Sequence, residues 1–293
     1  MKIRQIVVVV ALLGAAGCAR PADPVSVTPV TVTVTSTSGV GGSSISSPAS
    51  VTPAGRYAAL AVDFRRAFGT AAVGISIAPG DGAAIPALSM GDQAPRVAWS
   101  TIKVPLAIAA ERANGPSAAE TAAIVDSDNA SAEELWSSLG SPDQASAAVT
   151  RVLREGGDQL TTVPAQRLRA GYTVFGQTVW SLPAAATFAA HLSCMPGTAH
   201  VVALMGQVAV NQQWGVQVMH SAASTAVKGG WGPGVSSGYL VRQLGLIGHR
   251  DGQITAVAMS AVGGSMGEGI ASLNGVAAWL DRSISVLPRG SCH

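Results

Sequence analysis

The chain has 293 residues, with 48% hydrophobic and only 12% charged residues and a formal net charge of +2 at pH 7. That near balance, with no basic run and no interleaving of basic and aromatic residues, argues against nucleic acid as a partner. No group of His, Cys, Asp and Glu has the spacing of metal ligands, so neither a metal nor a cofactor is expected.

Residues 1–17 read as a lipoprotein signal peptide. Lys2 and Arg4 give a positive start, and the apolar run Ile6–Leu13 is too short for a bilayer anchor. The run ends at Ala15-Ala16-Gly17-Cys18, which resembles a bacterial lipobox and implies lipid on Cys18. An ordinary secretory signal is the alternative. The expected location is therefore outside the cell, lipid-anchored on the outer face of the cell membrane. Residues 18–53 are rich in Ser, Thr, Pro and Val and lack aromatic residues. They cannot bury enough surface to offset their ordering entropy and read as a disordered tether, although the Val-Thr alternation over 30–35 could also form a strand. Residues 54–293, about 240 in number, suffice for one sizeable core, expected to be a monomer.

Within that domain the pattern predicts an amphipathic helix over Ala54–Phe68, with Tyr57, Leu60, Val62 and Phe68 among its apolar residues. An apolar strand follows over Thr70–Ala78, turned by Pro79-Gly80-Asp81-Gly82. A helix carrying Val104–Ala110 stops near Asn114-Gly115. Ser117-x-x-Glu120 and Ser131-x-x-Glu134 each read as a capping box, the second starting a helix to Leu139 with Gly140 as its stop. Ser141-Pro142 opens a helix ending at Gly156-Gly157. Ser181-Leu182-Pro183 opens another, through Leu192, and Ala199–Val208 is also helical. Ala222–Val227 leads into a strand, Tyr239–Ile247 and Gln253–Val262 are two strands joined at Arg250-Asp251-Gly252, and Ile270–Ile284 is the closing helix. The predicted class is α/β of the α+β kind: an antiparallel sheet flanked by helices beside an all-helical lobe, with a cleft between them. Cys194 and Cys292 are the two cysteines left beside Cys18, and an even pair in an exported chain favours a disulfide over two free thiols.

Three short motifs carry the chemistry: Ser100-Thr101-Ile102-Lys103, Ser127-Asp128-Asn129 and Lys228-Gly229-Gly230. A serine three residues before a lysine shares its helix face, so a desolvated amine can take the hydroxyl proton. The second motif adds a hydroxyl and an amide; the third adds a cation and a bare backbone edge that substrate can approach closely. In this order, with their flanking helices and strands, they resemble the signature of serine β-lactamases of class A and penicillin-binding D,D-peptidases. The resemblance covers roughly residues 54–282.

The resemblance implies a β-lactamase/transpeptidase-like fold and a serine hydrolase acylated at Ser100, with a β-lactam or cell-wall peptide as partner. Lys103 would be the candidate base for acylation, a role disputed in the family between this lysine and a distant glutamate, and Ser127 would relay a proton to the leaving nitrogen with Lys228 holding its field positive. Asn129 would bind a substrate amide, while Asp128 braces the loop. Gly230 and Trp231 would line the substrate strand, the backbone N–H groups of Ser100 and Trp231 forming the oxyanion hole. Two departures stand out. Gly229 replaces the hydroxyl residue that binds the substrate carboxylate in the family; Arg242 on the next strand could substitute, or could be a surface arginine. From Gln159 to Val227 there is no Asp or Glu, and the loop position of the deacylating glutamate falls near Gln166, whose amide cannot act as a base. Slow deacylation is the expectation. A stretch between the first two motifs shorter than in class A enzymes implies a more open cleft. The other reading is a non-catalytic relative in the cell envelope that binds cell-wall peptide or a protein partner. Gly263-Gly264-Ser265-Met266-Gly267 also matches a nucleophile elbow, but too little chain follows for the acid and histidine strands, so it reads as a strand-to-helix turn. His191, His200, His220 and His249 read as helix or turn residues without partners.

Overall fold

The computed structural model describes residues 53–83, 87–235 and 238–292. The segment read as a signal peptide, the expected lipidation site at Cys18 and nearly all of the expected tether lie outside them. Five strands form one antiparallel sheet in the order β2-β1-β7-β6-β5, where β1 is Val73–Pro79, β2 Leu88–Gly91, β5 Ser224–Pro233, β6 Tyr239–Gly248 and β7 Ile254–Gly263. A separate two-residue pair joins β3 (Arg96–Val97) to β4 (Val179–Trp180). β6 and β7 were legible because each is rich in β-branched and aliphatic residues with a turn between them, and β5 because Ala222–Val227 leads into the lysine-glycine motif. The short β2, β3 and β4 were not anticipated; two to four residues are too few to show a period.

Helices α1 (Pro53–Phe68) and α8 (Met266–Arg282) cover one face of the sheet, where Leu60, Phe64, Leu273, Val276 and Trp279 pack with Ile75, Val241 and Met259. Expected apolar Val62 is instead 52% exposed, and Phe64, one turn after Leu60, takes the core position. The period of 3.6 decides between them: 57, 60, 61, 64 and 68 share the stripe and 62 does not. The other face carries α6 (Leu182–His191) and, beyond it, the helical lobe of α2 (Lys103–Asn114), α3 (Ala118–Thr121), α4 (Asn129–Ser138), α5 (Pro142–Glu155) and α7 (Ala199–Met205).

Local chemistry sets the helix ends. Ser117 accepts from Glu120 N while Ser117 N donates to the Glu120 carboxylate, and Ser141 with Gln144 repeats the arrangement. Ser131, expected to cap α4, lies inside it. Asp128 is the cap and accepts from Ser131 N at 2.7 Å. A carboxylate at the right backbone conformation competes better for the free N–H groups than a serine three residues later. Ser265 caps α8 and accepts from Glu268 N, so the elbow-like sequence is a strand-to-helix turn. Cys194, after α6, is bonded to Cys292 with Cα atoms 5.3 Å apart. Gly290, just before it, pairs with Ile254 at the start of β7. Two of the histidines do have partners: the rings of His191 and His249 contact Thr187 O and Thr255 Oγ1.

Candidate active site

The first motif stands on a single 3-10 turn, Trp99–Ile102, running directly into α2. Trp99, the residue before Ser100, has φ 49°, a left-handed backbone that is costly for a tryptophan. Its indole is held edge-on to Tyr172, ring centroids 5.0 Å apart, and the Arg169 guanidinium lies over both rings. Packing therefore imposes the bend that presents Ser100 to the cleft.

The second motif follows a π-turn, Ala122–Asp126, which ends on Ser127 with φ 60°. That conformation turns the Ser127 carbonyl toward α2 and its hydroxyl toward the sheet. Lys103 Nζ donates to Ser127 O at 2.7 Å, Asp128 O at 3.0 Å and Asn129 Oδ1 at 2.9 Å. All three ammonium protons are thus directed at the second motif. Burial, opposed by the charges of Asp128 and Glu133, brings the Lys103 pKa down to about 8. The Asp128 carboxylate is held low, chiefly by its hydrogen bonds from Ser131.

The third motif lies on β5, the sheet edge facing the helical lobe. Lys228 Nζ donates to Ser127 Oγ at 2.8 Å, Gln212 Oε1 at 2.6 Å and Gly229 O at 3.0 Å. The group is fully buried, and desolvation, then the charge of Lys103, hold its pKa well below the usual lysine value. Two residues on, and hence on the same face of the strand, Gly230 presses against the first motif. A Cβ there would stand 2.9 Å from Ser100 N and from Ala98 O. Only glycine lets the strand approach the Ser100 turn this closely.

Ser100, Asn129 and Trp231 line one cleft of about 460 Å³, together with Tyr172, Pro233 and Tyr239. Lys103, Ser127 and Lys228 are joined beneath it through the hydrogen bonds above. Arg242 does not reach the cleft and is not on the surface. It is 2% exposed, and its Nη1 donates to Arg96 O at 2.8 Å and Val97 O at 3.1 Å. It braces β3, the strand that leads to Ser100, and both readings made for it are replaced by that one. Burial, with Arg96 nearby, lowers its pKa to about 9. Gln166 is exposed and absent from the cleft lining.

Three residues in the site carry no signal in the sequence. Gln212, fully buried, accepts from Lys228 Nζ and from Gly229 N (2.9 Å) and donates to Ile124 O and Val125 O. It ties the third motif to the turn before Ser127. Trp214 stands where a side chain at 229 would go: a Cβ on Gly229 would meet its Cζ2 at 2.8 Å. An indole therefore fills the space beside Gly229, packed in turn against Trp231. Glu133, one turn after Asn129 on α4, is the carboxylate in the cleft lining among the described residues. Glu133 lies on the helix of the second motif, outside the 159–227 stretch in which an acid was expected. That stretch is instead anchored internally: the buried Asp158 accepts from Trp180 Nε1, and Gln177 Nε2 donates to Arg169 O, Tyr172 O and Thr173 O.

No protein-family model matches the chain, and no curated protein matches it by sequence. Solved structures do. A β-lactamase from Burkholderia vietnamiensis is 20% identical over 80% of this chain and 97% of its own, with a TM-score of 0.56. A β-lactamase from Sphaerobacter thermophilus DSM 20745 is 14% identical over 79% and 99%, with a TM-score of 0.59. PBP-A is 16% identical over 79% and 96%, with a TM-score of 0.57. The chain has the β-lactamase/transpeptidase-like fold, as the motifs implied.

Proposed function

We propose that the protein is a serine hydrolase that is acylated at Ser100 by β-lactams or D-Ala-type peptides and releases the acyl group slowly. The observation that carries this reading is the continuous hydrogen-bonded set Lys103–Ser127–Lys228 beneath a cleft lined by Ser100. Both amines are desolvated, which makes Lys103 competent to accept the Ser100 proton once neutral. Ser127 Oγ, held by Lys228, is placed to pass a proton to the leaving nitrogen, and the N–H groups of Ser100 and Trp231 would receive the oxyanion, a contribution of roughly 3 kcal/mol. Asn129 would hold the substrate amide. With no carboxylate between Gln159 and Val227, hydrolysis of the acyl-enzyme lacks the loop base of the fold's class A members. Attachment to the membrane through lipid on Cys18 belongs to the same reading.

Glu133 supports a second reading, in which its carboxylate primes the deacylating water from the other wall of the cleft and turnover is sustained. Intact-protein mass spectrometry after exposure to a penicillin tests both. The expected result is a stoichiometric adduct that persists, absent in Ser100→Ala and formed roughly 100-fold or more slowly in Lys103→Ala. Fast loss of the adduct that Glu133→Gln abolishes would establish the second reading. Absence of any adduct with penicillins and fluorophosphonates would leave a non-catalytic binding protein.

A further inference from the structure

At the far end of α2 from Lys103, the fold assembles three residues that the sequence keeps apart. Glu111 lies on α2, Glu120 on α3 and His200 in the first turn of α7. His200 Nδ1 stands 3.5 Å from Glu120 Oε1 and 3.6 Å from Glu111 Oε2, and the three atoms all lie within 4.8 Å of one another. These separations are too long for hydrogen bonds, and each of the three atoms is buried without a hydrogen-bond partner. The Glu120 side chain is 1% exposed. One of its oxygens is used on the helix cap, taking Ser117 N, while the other points into the cluster, against His200 and Glu111, without a hydrogen bond.

An unmet buried carboxylate oxygen is costly, and two carboxylates beside each other compound the cost. Burial first, and then Glu111, disfavour the charged form of Glu120. Among the described residues no lysine or arginine pairs with either carboxylate, Arg112 being engaged with Glu155. The geometry suits a cation at the centre. Ligand atoms held about 2.0–2.2 Å from a tetrahedral metal stand about 3.3–3.6 Å apart, close to the separations from His200.

We propose that Glu111, Glu120 and His200 form a binding site for a divalent first-row transition metal of the zinc type, clamping α2, α3 and α7. One imidazole nitrogen with two carboxylate oxygens favours such a metal over calcium or magnesium, which seek six or more oxygens. His200 is 39% exposed, so water would have access to complete the coordination. The site is separate from the cleft and does not depend on acylation of Ser100. The sequence expectation of no metal rested on spacing, and residues 111, 120 and 200 have none to recognise. Their approach follows from the packing of three helices.

The test is isothermal titration of the full, chelator-stripped chain with Zn²⁺ alone, with Co²⁺ absorption as a second readout. One equivalent bound, the visible spectrum of a four-coordinate Co²⁺ site, and a Zn²⁺-dependent rise in Tm are expected. His200→Ala and Glu120→Gln should each weaken binding at least about tenfold. Glu120→Gln retains an oxygen for the helix cap, and circular dichroism would establish that both variants fold. No binding to the parent chain, or binding unchanged in both folded variants because other histidines hold the ion, would overturn the proposal. So would a cluster that responds to pH alone, with a protonated His200 bridging the carboxylates and Zn²⁺ without effect on Tm.

Discussion

Two lysines a few ångströms from one hydroxyl residue cannot both be comfortably charged, and the site distributes protons accordingly. Lys103 has three acceptors on the second motif and the opposing charges of Asp128 and Glu133. Lys228 has only neutral partners, Ser127 Oγ, Gln212 Oε1 and Gly229 O, and feels the charge of Lys103. With a pKa of about 8, Lys103 is neutral in on the order of one molecule in ten at pH 7. Acylation that needs the free amine should therefore rise about tenfold per pH unit below 8 and level off above it. Stopped-flow acylation rates across pH 6–9 check this; a flat profile would remove Lys103 as the base. The same shift has a sign for stability. Protonated Lys103 costs folding free energy at all pH values below about 8, and the cost fades as pH rises toward the unfolded value near 10.5. The residues of the three motifs were readable because each is a local pattern with its own chemistry. Gln212, Trp214 and Glu133 were not, because a glutamine, a tryptophan and one of many glutamates acquire meaning only from what the fold sets beside them.

Among the elements, the long strands and the capped helices follow from period and cap chemistry, and the departures have identifiable causes. The start of α4 was misplaced by three residues because two cap sequences overlap, and Asp128 won over Ser131. The anchoring of the last element is also chemical: the Cys194–Cys292 bond closes a 98-residue separation and fixes the C-terminal segment beside α6. Its main effect is on the unfolded chain, whose freedom it removes. Cys194→Ser with Cys292→Ser is expected to lower unfolding free energy by about 2–5 kcal/mol while leaving the β5–β6–β7 sheet intact. Urea denaturation of the oxidised chain and the double variant, each extrapolated to zero denaturant with its own m-value, measures it. A difference under about 0.5 kcal/mol would mean that the segment is held by the Gly290–Ile254 pairing instead.

Taken as a whole molecule, the domain has two large apolar cores, one between the sheet and α1 with α8, the other reaching from α6 through the helical lobe, besides a small cluster of Val97, Trp99 and Leu240. The broad arrangement was legible in the order of helices and strands. The seam was not, since its polar groups come from distant parts of the chain. Gln212 is the residue whose hydrogen bonds cross that seam in both directions: toward the sheet through Lys228 and Gly229, toward the lobe through Ile124 and Val125. Removing it leaves a buried ammonium short of an acceptor, a backbone N–H unmet and the Ile124 carbonyl without this donor, while Val125 O keeps Ala209 N at 2.9 Å. Each orphaned group costs about 1–3 kcal/mol where water cannot enter, so Gln212→Ala should destabilise the fold by at least about 2 kcal/mol. The loss should also reach the chemistry, because Ser127 hangs from the same turn and Lys228 holds its hydroxyl. Acylation of Ser100 is expected to slow in Gln212→Ala. Gln212→Glu retains the acceptor oxygen and gives Lys228 a counter-charge, but lacks the donor to the Ile124 turn; it should recover the lysine's contact without recovering the turn's. Urea denaturation and penicillin acylation rates on the two variants separate these effects. A Gln212→Ala protein with parent stability and parent acylation rate would show that the two halves of the site are held together without this glutamine, through the Lys103 and Lys228 contacts on Ser127 alone.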